Sequence, residues 1–451
     1  MKSNEIELTQ GPLAKNILRF SIPLVLSNLL QVLFNISDIV VVGRFAGSLA
    51  LGSVGSTSQL LFAFTGLLMG IGNGINVIAA YYIGSKKQKD LDDSVHTSLI
   101  FCLISGFALM FFGLLISKNI LILIKTKEIL LDGAITYFRI YMFALPGLAL
   151  FNYGNAILNA TGDTKRPFIY LSIAGIINII LNIFFVAVLK MDCDGVALAT
   201  VISQYISAFL VMNVLIKGIN GIKLHKSNMK VNSIMLKQII KIGIPSGLQN
   251  VVFSFANTFV QVGVNSFDEV MVSGTAVCSN LDNLVYTVMN AFYIACASFI
   301  GQNFGAQQKE RVKKTYLLCT FFSFSIALFI GILYLIFGDF LLGLFTKEQN
   351  VINAGMERLR ILSLSFCVSA FMDNTIAANR GLGKSFIPSI IVIIGSCVFR
   401  VIWVLTIFAY YQTIASLFLL YVFSWSITAI AEIIYFIITF NKMCKTSMIN
   451  N

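Results

Sequence analysis

The polar residues that could do chemistry here sit inside apolar runs and fall on helical faces. Asn28, Gln31, Asn35 and Asp38 are spaced three, four and three residues apart, which brings all four to one side of a helix. Asn250, Ser254, Asn257 and Gln261 repeat the pattern at four, three and four. Asn152, Asn155 and Asn159 make a third stripe, and Asn280, Asn283, Thr287 and Asn290 a fourth. Any one of these amides alone reads as hydrogen-bonding glue between membrane helices. Four stripes together point to a wet cavity, with Asn28, Gln31, Asn35, Asn152, Asn155, Asn257, Gln261, Asn283 and Asn290 lining it and holding a polar guest.

Charged groups in such runs are fewer and costlier. An ionised carboxylate at the depth of Asp38 costs about 2.5–3.5 kcal/mol on insertion scales. It persists if it faces a cavity, binds a cation, takes up a proton, or pairs with a buried arginine such as Arg139 or Arg400. Asp373, one turn past Ser369, is the second candidate for cation or proton binding. Asp282 and Glu432 either lie nearer a membrane surface or face protein.

Signals for an enzyme are weak. The two histidines, His96 and His225, have no nucleophile or carboxylate partner apparent in sequence and read as solvated loop residues. The run from Ala378 to Ser385 resembles a phosphate loop, yet Ala378 replaces its first glycine and a membrane span precedes it where a strand is required. ATP is therefore not expected as the power source. Eight cysteines are scattered without CxxC spacing, so neither a disulfide framework nor a metal site is indicated. No cofactor is expected.

The elements that must position these residues follow from composition. The 451-residue chain is 57% hydrophobic and only 12% charged, about half the charge of a soluble chain. A spanning helix needs about 20 apolar residues, and twelve runs qualify: 17–42, 53–83, 94–117, 129–160, 167–189, 194–216, 238–265, 272–304, 314–338, 351–379, 387–410 and 414–440. The first is too long for a signal-peptide core. Gly70/Gly74 and Gly243/Gly247 have the spacing of close helix contacts.

Most of the 32 lysines and arginines fall in the loops that are cytoplasmic if the N-terminus is inside, among them Lys86, Lys87, Lys89, Lys165, Arg166, Arg311 and Lys384. The positive-inside rule thus predicts both termini in the cytoplasm. Topology then accounts for the net charge of +12, and no nucleic acid is needed. The halves of the chain also match: Pro23, Asn28 and Asn35 recur as Pro245, Asn250 and Asn257, and Arg139, Gly162 and Pro167 as Arg360, Gly383 and Pro388. Six spans per half preserve orientation, giving a parallel repeat. The expected organisation is a cytoplasmic segment 1–16, a six-helix bundle 17–216, a lysine-rich cytoplasmic connector 217–237, a second six-helix bundle 238–440 and a cytoplasmic tail 441–451.

Ile22-Pro23 through Asn28, Asn35-Ile36-Ser37-Asp38, Val42 through Gly47, Gly243-Ile244-Pro245 and Gly301 through Ala306 resemble the helix signatures of multidrug and toxic compound extrusion (MATE) transporters, and the similarity extends over residues 12–440. The resemblance implies an all-α polytopic membrane protein whose two bundles form a V. It implies export of organic, mostly cationic, compounds by antiport with Na⁺ or H⁺ through alternating access. Asp38 matches the family's ion-binding carboxylate, Asn178 and Thr200 its partners, and Pro23 the proline at which the first helix bends. Asn182 stands where many relatives carry a second aspartate. Asp373 looks like the tenth-helix carboxylate of the sodium-dependent branch, whose seventh-helix glutamate would fall near Phe253 and Ser254. The expected setting is the plasma (cell inner) membrane, with small organic cations as guests and the chain working as a monomer. A flippase for a lipid-linked precursor, from the same superfamily, is the alternative. Its cavity calls for arginines aimed at pyrophosphate, and Arg139 and Arg400 are available, whereas neutral amide stripes favour a neutral-to-cationic guest. A membrane-embedded transferase and a passive channel fit less well, because no His or Asp constellation is present and the carboxylate is isolated.

Overall fold

The computed structural model describes residues 6–449, with side chains as far as Met443; the expectations for the ends of segments 1–16 and 441–451 lie partly outside the described residues. Long apolar runs with few interruptions become helices because the backbone satisfies its own hydrogen bonds only that way in lipid. The order is α1 (Leu13–Val41), α2 (Gly47–Gly84), α3 (Gln88–Leu123), α4 (Glu128–Met142), α5 (Leu145–Ala160), α6 (Lys165–Asn182), α7 (Cys193–Lys217), α8 (Ser233–Val264), α9 (Glu269–Gly305), α10 (Lys309–Gly343), α11 (Gln349–Leu362), α12 (Phe366–Gly381), α13 (Phe386–Val392), α14 (Phe399–Trp403), α15 (Ala409–Tyr411) and α16 (Ile414–Ile449). One β-bridge, Ile219 to Ile222, is the extent of β pairing among the described residues.

Nine of the described helical stretches are long and apolar enough to cross a membrane, or up to eleven if each bent pair is one span. The bends fall inside two of the runs read from sequence. α4 and α5 meet at 44°, and α11 and α12 at 52°. Pro146 explains the first, since it sits at the start of α5 where its missing N–H costs nothing. α1 and α2 form one helical stretch of 72 residues, Leu13–Gly84, through a π-helical turn at Val42–Ala46. Gly47, at φ 88°, follows that turn, in a backbone conformation open to glycine.

Two compact units emerge, Met1–Glu7 with Ile22–Val251, and Leu8–Ser21 with Val252–Asn451. In the first unit α2 meets α8 at the glycines picked out from sequence. A Cβ on Gly70 would lie 2.1 Å from the Gly247 nitrogen, and one on Gly74 would lie 2.8 Å from the Gly243 nitrogen. Ile6 is tied here by its N–H to the Gly162 carbonyl at 3.3 Å. The second unit packs around Trp425, Phe366, Phe418 and Leu417, all buried. Its backbone segment at Leu8 accepts from Asn303 Nδ2 at 3.1 Å and Arg311 Nη2 at 3.3 Å.

The connector after α7 is pinned to the start of α3. Gln88 donates to the Gly221 carbonyl at 2.7 Å, Asn228 to Asp92 at 2.9 Å and Asn232 to Asp93 at 3.0 Å. This corrects the reading of His96 as a solvated loop residue. It is buried, its Nδ1 lies 2.8 Å from the Asp92 carbonyl, and its Nε2 accepts the His225 N–H at 3.1 Å. The reading missed a local carboxylate, Asp92 one turn earlier with its Oδ1 3.4 Å from Nδ1, and a second partner from a segment 129 residues away that leaves no local mark. His225 itself is exposed.

Candidate functional site: a carboxylate bonded to an amide

Asp38 lies one turn before the end of α1 and is half-buried. Its carboxylate accepts a hydrogen bond from Asn182 Nδ2, on the last residue of α6. The same amide donates to Asn178 Oδ1 at 3.1 Å, a pairing set by their i, i+4 spacing. Asn182 is fully enclosed, and its own Oδ1 has no hydrogen-bond partner among the described residues. Such an orphan acceptor costs about 1–3 kcal/mol, so the arrangement keeps an unused oxygen beside a carboxylate. Neither arginine considered from sequence pairs with Asp38. Arg139 is exposed and donates to Ser117 Oγ at 2.8 Å, and Arg400 belongs to the other unit. Among the described residues no ion pair involves Asp38.

The local backbone is unusual on both sides. α1 runs into the π-helical turn Val42–Ala46, and α6 runs into another at Ile183–Val188; such turns recur at functional sites. Gly175 permits the approach of the two helices, for a Cβ there would lie 1.8 Å from the Phe34 ring. α1 continues as a helix through Pro23, whose carbonyl accepts from Ser27 Oγ at 2.9 Å. Thr200 is half-buried on α7 and turns its hydroxyl back to the Val196 carbonyl at 3.0 Å. The structure thus joins Asp38, Asn182 and Asn178, and leaves Thr200 bonded within its own helix.

The amide stripes divide by surroundings. On α1, Asn28, Gln31 and Asp38 are half-buried and Asn35 exposed, while exposed Leu33, Ile36 and Val40 take the far side of the helix. On α8, Asn257 and Gln261 are exposed opposite Phe255, Phe259 and Val262, which are also exposed. Two exposed faces of opposite polarity on one helix mean that only one suits lipid. Asn152 Nδ2 and Asn155 Oδ1 are enclosed without hydrogen-bond partners, and Asn283 and Asn290 are exposed on α9. Asn257 has a partner that the sequence did not reveal, since its Oδ1 accepts from Arg400 Nη1 at 2.8 Å. Gln261 donates to Asn265 at 2.9 Å.

The second unit holds the remaining buried charges. Arg358 and Asp282 form a buried ion pair, and Arg358 also donates to the Thr275 carbonyl at 3.3 Å. Asp282 therefore faces protein. Glu432 does too, accepting from Asn379 at 2.7 Å. Asp373 is half-buried on α12, two turns before Arg380, which bonds to the Tyr293 hydroxyl. Partners such as Arg358 for Asp282, 76 residues apart, leave no local mark in the sequence.

The MatE family model matches residues 23–184 and again 245–406. The chain belongs to the MatE family. It is accordingly a multi-pass membrane transporter and not an enzyme. Over 363 residues it is 28% identical to the probable multidrug resistance protein YpnP of Bacillus subtilis (strain 168), covering 80% of each chain. It is 27% identical to the probable multidrug resistance protein YoeA of the same organism over 82% of each. The fold matches a crystal structure of MATE in complex with MaL6 at a TM-score of 0.92 and 23% identity, covering 98% of this chain and 100% of that one. No cluster of three or more His, Cys, Asp or Glu side chains suited to a metal occurs among the described residues.

Proposed function

We propose that the chain is a secondary active exporter of small organic, mostly cationic, compounds, driven by antiport of Na⁺ or H⁺ through alternating access. The observation that carries this reading is Asp38. It is a half-buried carboxylate in a transporter chain, bonded to the Asn182 amide, with no cationic partner among the described residues. The coupling site is Asp38 with Asn182 and Asn178, Thr200 joining if its hydroxyl rotates away from Val196. Asp373 is an accessory candidate. The amide stripes supply the guest surface, and the Bacillus relatives are named as probable multidrug resistance proteins.

The chemistry of the switch follows from the Asn182 amide. Empty, the carboxylate faces amide hydrogens, and Asn182 Oδ1 is unused. A cation at Asp38 repels those hydrogens, and a half-turn of the amide brings Oδ1 to the ion. Occupancy is thereby written into the last residue of α6, beside the π-helical turn at Ile183–Val188. Ion and guest need not touch if each prefers a different conformation.

In the same reading the chain crosses the plasma membrane twelve times as two six-helix bundles, as a monomer with both termini cytoplasmic. Supporting this, 72 helical residues would reach about 108 Å across a core of about 30 Å, so Leu13–Gly84 supplies two spans. The family model also matches twice, starting at Pro23 and at Pro245.

Efflux of a fluorescent organic cation from proteoliposomes tests the proposal, with wild type and Asp38→Asn compared under a Na⁺ gradient, a proton gradient and neither. Gradient-driven efflux that Asp38→Asn abolishes is the expected result. Efflux by the variant at wild-type coupling would refute the role of Asp38, and no efflux by folded wild type would refute drug export.

A further inference from the structure

The repeat places unlike groups at matching positions. Pro167 and Pro388 are 221 residues apart, whereas both ends of the two family matches are 222 apart. The π-helical turn Ile393–Val398 accounts for the difference, because such a turn adopts a wider winding that absorbs an extra residue. Beyond it the register is 222, so Asn178 corresponds to Arg400 and Asn182 to Val404. On the preceding helices Asn35 corresponds to Asn257 and Asp38 to Val260. The carboxylate–amide pair of the first half has thus become two valines of one buried cluster. The neutral Asn178 has become a guanidinium.

Arg400 is wholly buried. It donates to Asn257 at 2.8 Å and Ser424 at 3.3 Å, and its guanidinium carbon lies 4.6 Å, 4.5 Å and 6.0 Å from the ring centres of Phe253, Tyr421 and Trp425. Among the described residues its Nη2 has no acceptor and it forms no ion pair. The other two buried arginines of this unit are served differently: Arg358 pairs with Asp282, and Arg380 lies in electrostatic range of Asp373 and Glu432. A guanidinium cannot discharge itself by losing a proton, and aromatic faces offset its charge without accepting its N–H groups. What it lacks is an anion. Asn257, whose Oδ1 accepts from Arg400, is exposed.

We propose that Arg400 is an anion-recognition point of the guest site, where swinging Asn257 aside lets the guanidinium take a carboxylate or phosphate carried by the guest. The guests then include zwitterions and organic anions. The inference rests on the transport reading for the word guest, but binding tests it without transport.

The test uses a rhodamine methyl ester, which is cationic, and the corresponding free acid, which is zwitterionic, with anisotropy read on the full chain in lipid nanodiscs without any gradient. Wild type should bind both. Arg400→Met, which keeps the bulk between the rings, should weaken the acid about tenfold or more and leave the ester within about twofold. Arg400→Lys should fall between. Benzoate added to wild type should displace the acid and spare the ester, an arm that needs no variant to fold. Failure of wild type to bind the acid, equal losses for acid and ester, no loss for either, or benzoate displacing neither would overturn the proposal. Arg400-dependent binding of the acid without gradient-driven efflux would instead sink the transport reading and leave the anion site standing.

Discussion

Removing the carboxylate of Asp282 isolates a buried charge. Arg358 would keep the Thr275 carbonyl at 3.3 Å and the Phe418 ring at 5.1 Å, yet lose its anion. Breaking one partner of a buried pair costs about 3–5 kcal/mol, whereas replacing both with well-packed apolar groups is near neutral or stabilising. Asp282→Ala should therefore lower the apparent melting temperature by roughly 6–20 °C, at about 2–4 °C per kcal/mol for a unit of this size. Asp282→Leu with Arg358→Met should stay within about 1 kcal/mol of wild type. A thiol-reactive dye reads the transition in detergent at fixed scan rate, because Cys278 and Cys367 of this unit are free and buried. Cys278 sits beside the pair, its Sγ 3.2 Å from the Gly355 carbonyl, and reports its opening. A single variant that melts within about 1 kcal/mol of wild type, or a double variant that falls as far as the single, would refute the reasoning.

Three further outcomes are expected. Gly70→Leu puts a side chain where even a Cβ would lie 2.1 Å from the Gly247 nitrogen, so size-exclusion profiles should show loss of monodisperse protein. Leu at Gly55, where nothing lies within 4 Å of a Cβ, should leave the profile unchanged. Gly175→Ala displaces the Phe34 ring, 1.8 Å from its Cβ position, and moves α1 off α6. It should preserve the fold but cut gradient-driven efflux several-fold, and Phe34→Leu in the same chain should restore part of it. An unchanged efflux rate would separate the Phe34 contact from the Asp38–Asn182 bond. Gly162→Ala meets both a φ of 89° and the Ile6 carbonyl at 2.2 Å, so hydrogen exchange should rise at Ile6.

Much of the candidate site could be read from local spacing. Asn28, Gln31, Asn35 and Asp38 share a side because helical periodicity is fixed by the backbone, and Asp38 stands out because charge in an apolar run is costly. Gly70, Gly74, Gly243 and Gly247 marked close helix packing by their spacing, and the structure pairs them with one another, Gly70 against Gly247 and Gly74 against Gly243. Asn178 and Asn182 entered through resemblance to the family, and the structure joins them to Asp38. Thr200 entered by the same route and stays on its own helix.

Pairing between helices was beyond reach. Composition and periodicity determined that this chain is helical, lies in a membrane, and gathers its polar residues into stripes on single helix faces, because each of those properties depends on neighbours within a turn or two. Which charge meets which depends on where distant helices cross and on single residues of register. The tertiary structure alone gave Asp282 to Arg358, Glu432 to Asn379, His96 to the connector, and, among the described residues, no anion to Arg400. A single π-helical turn before Arg400 shifts every later side chain on its helix by about 100°, and a shift of that size decides whether a guanidinium faces an amide or lipid.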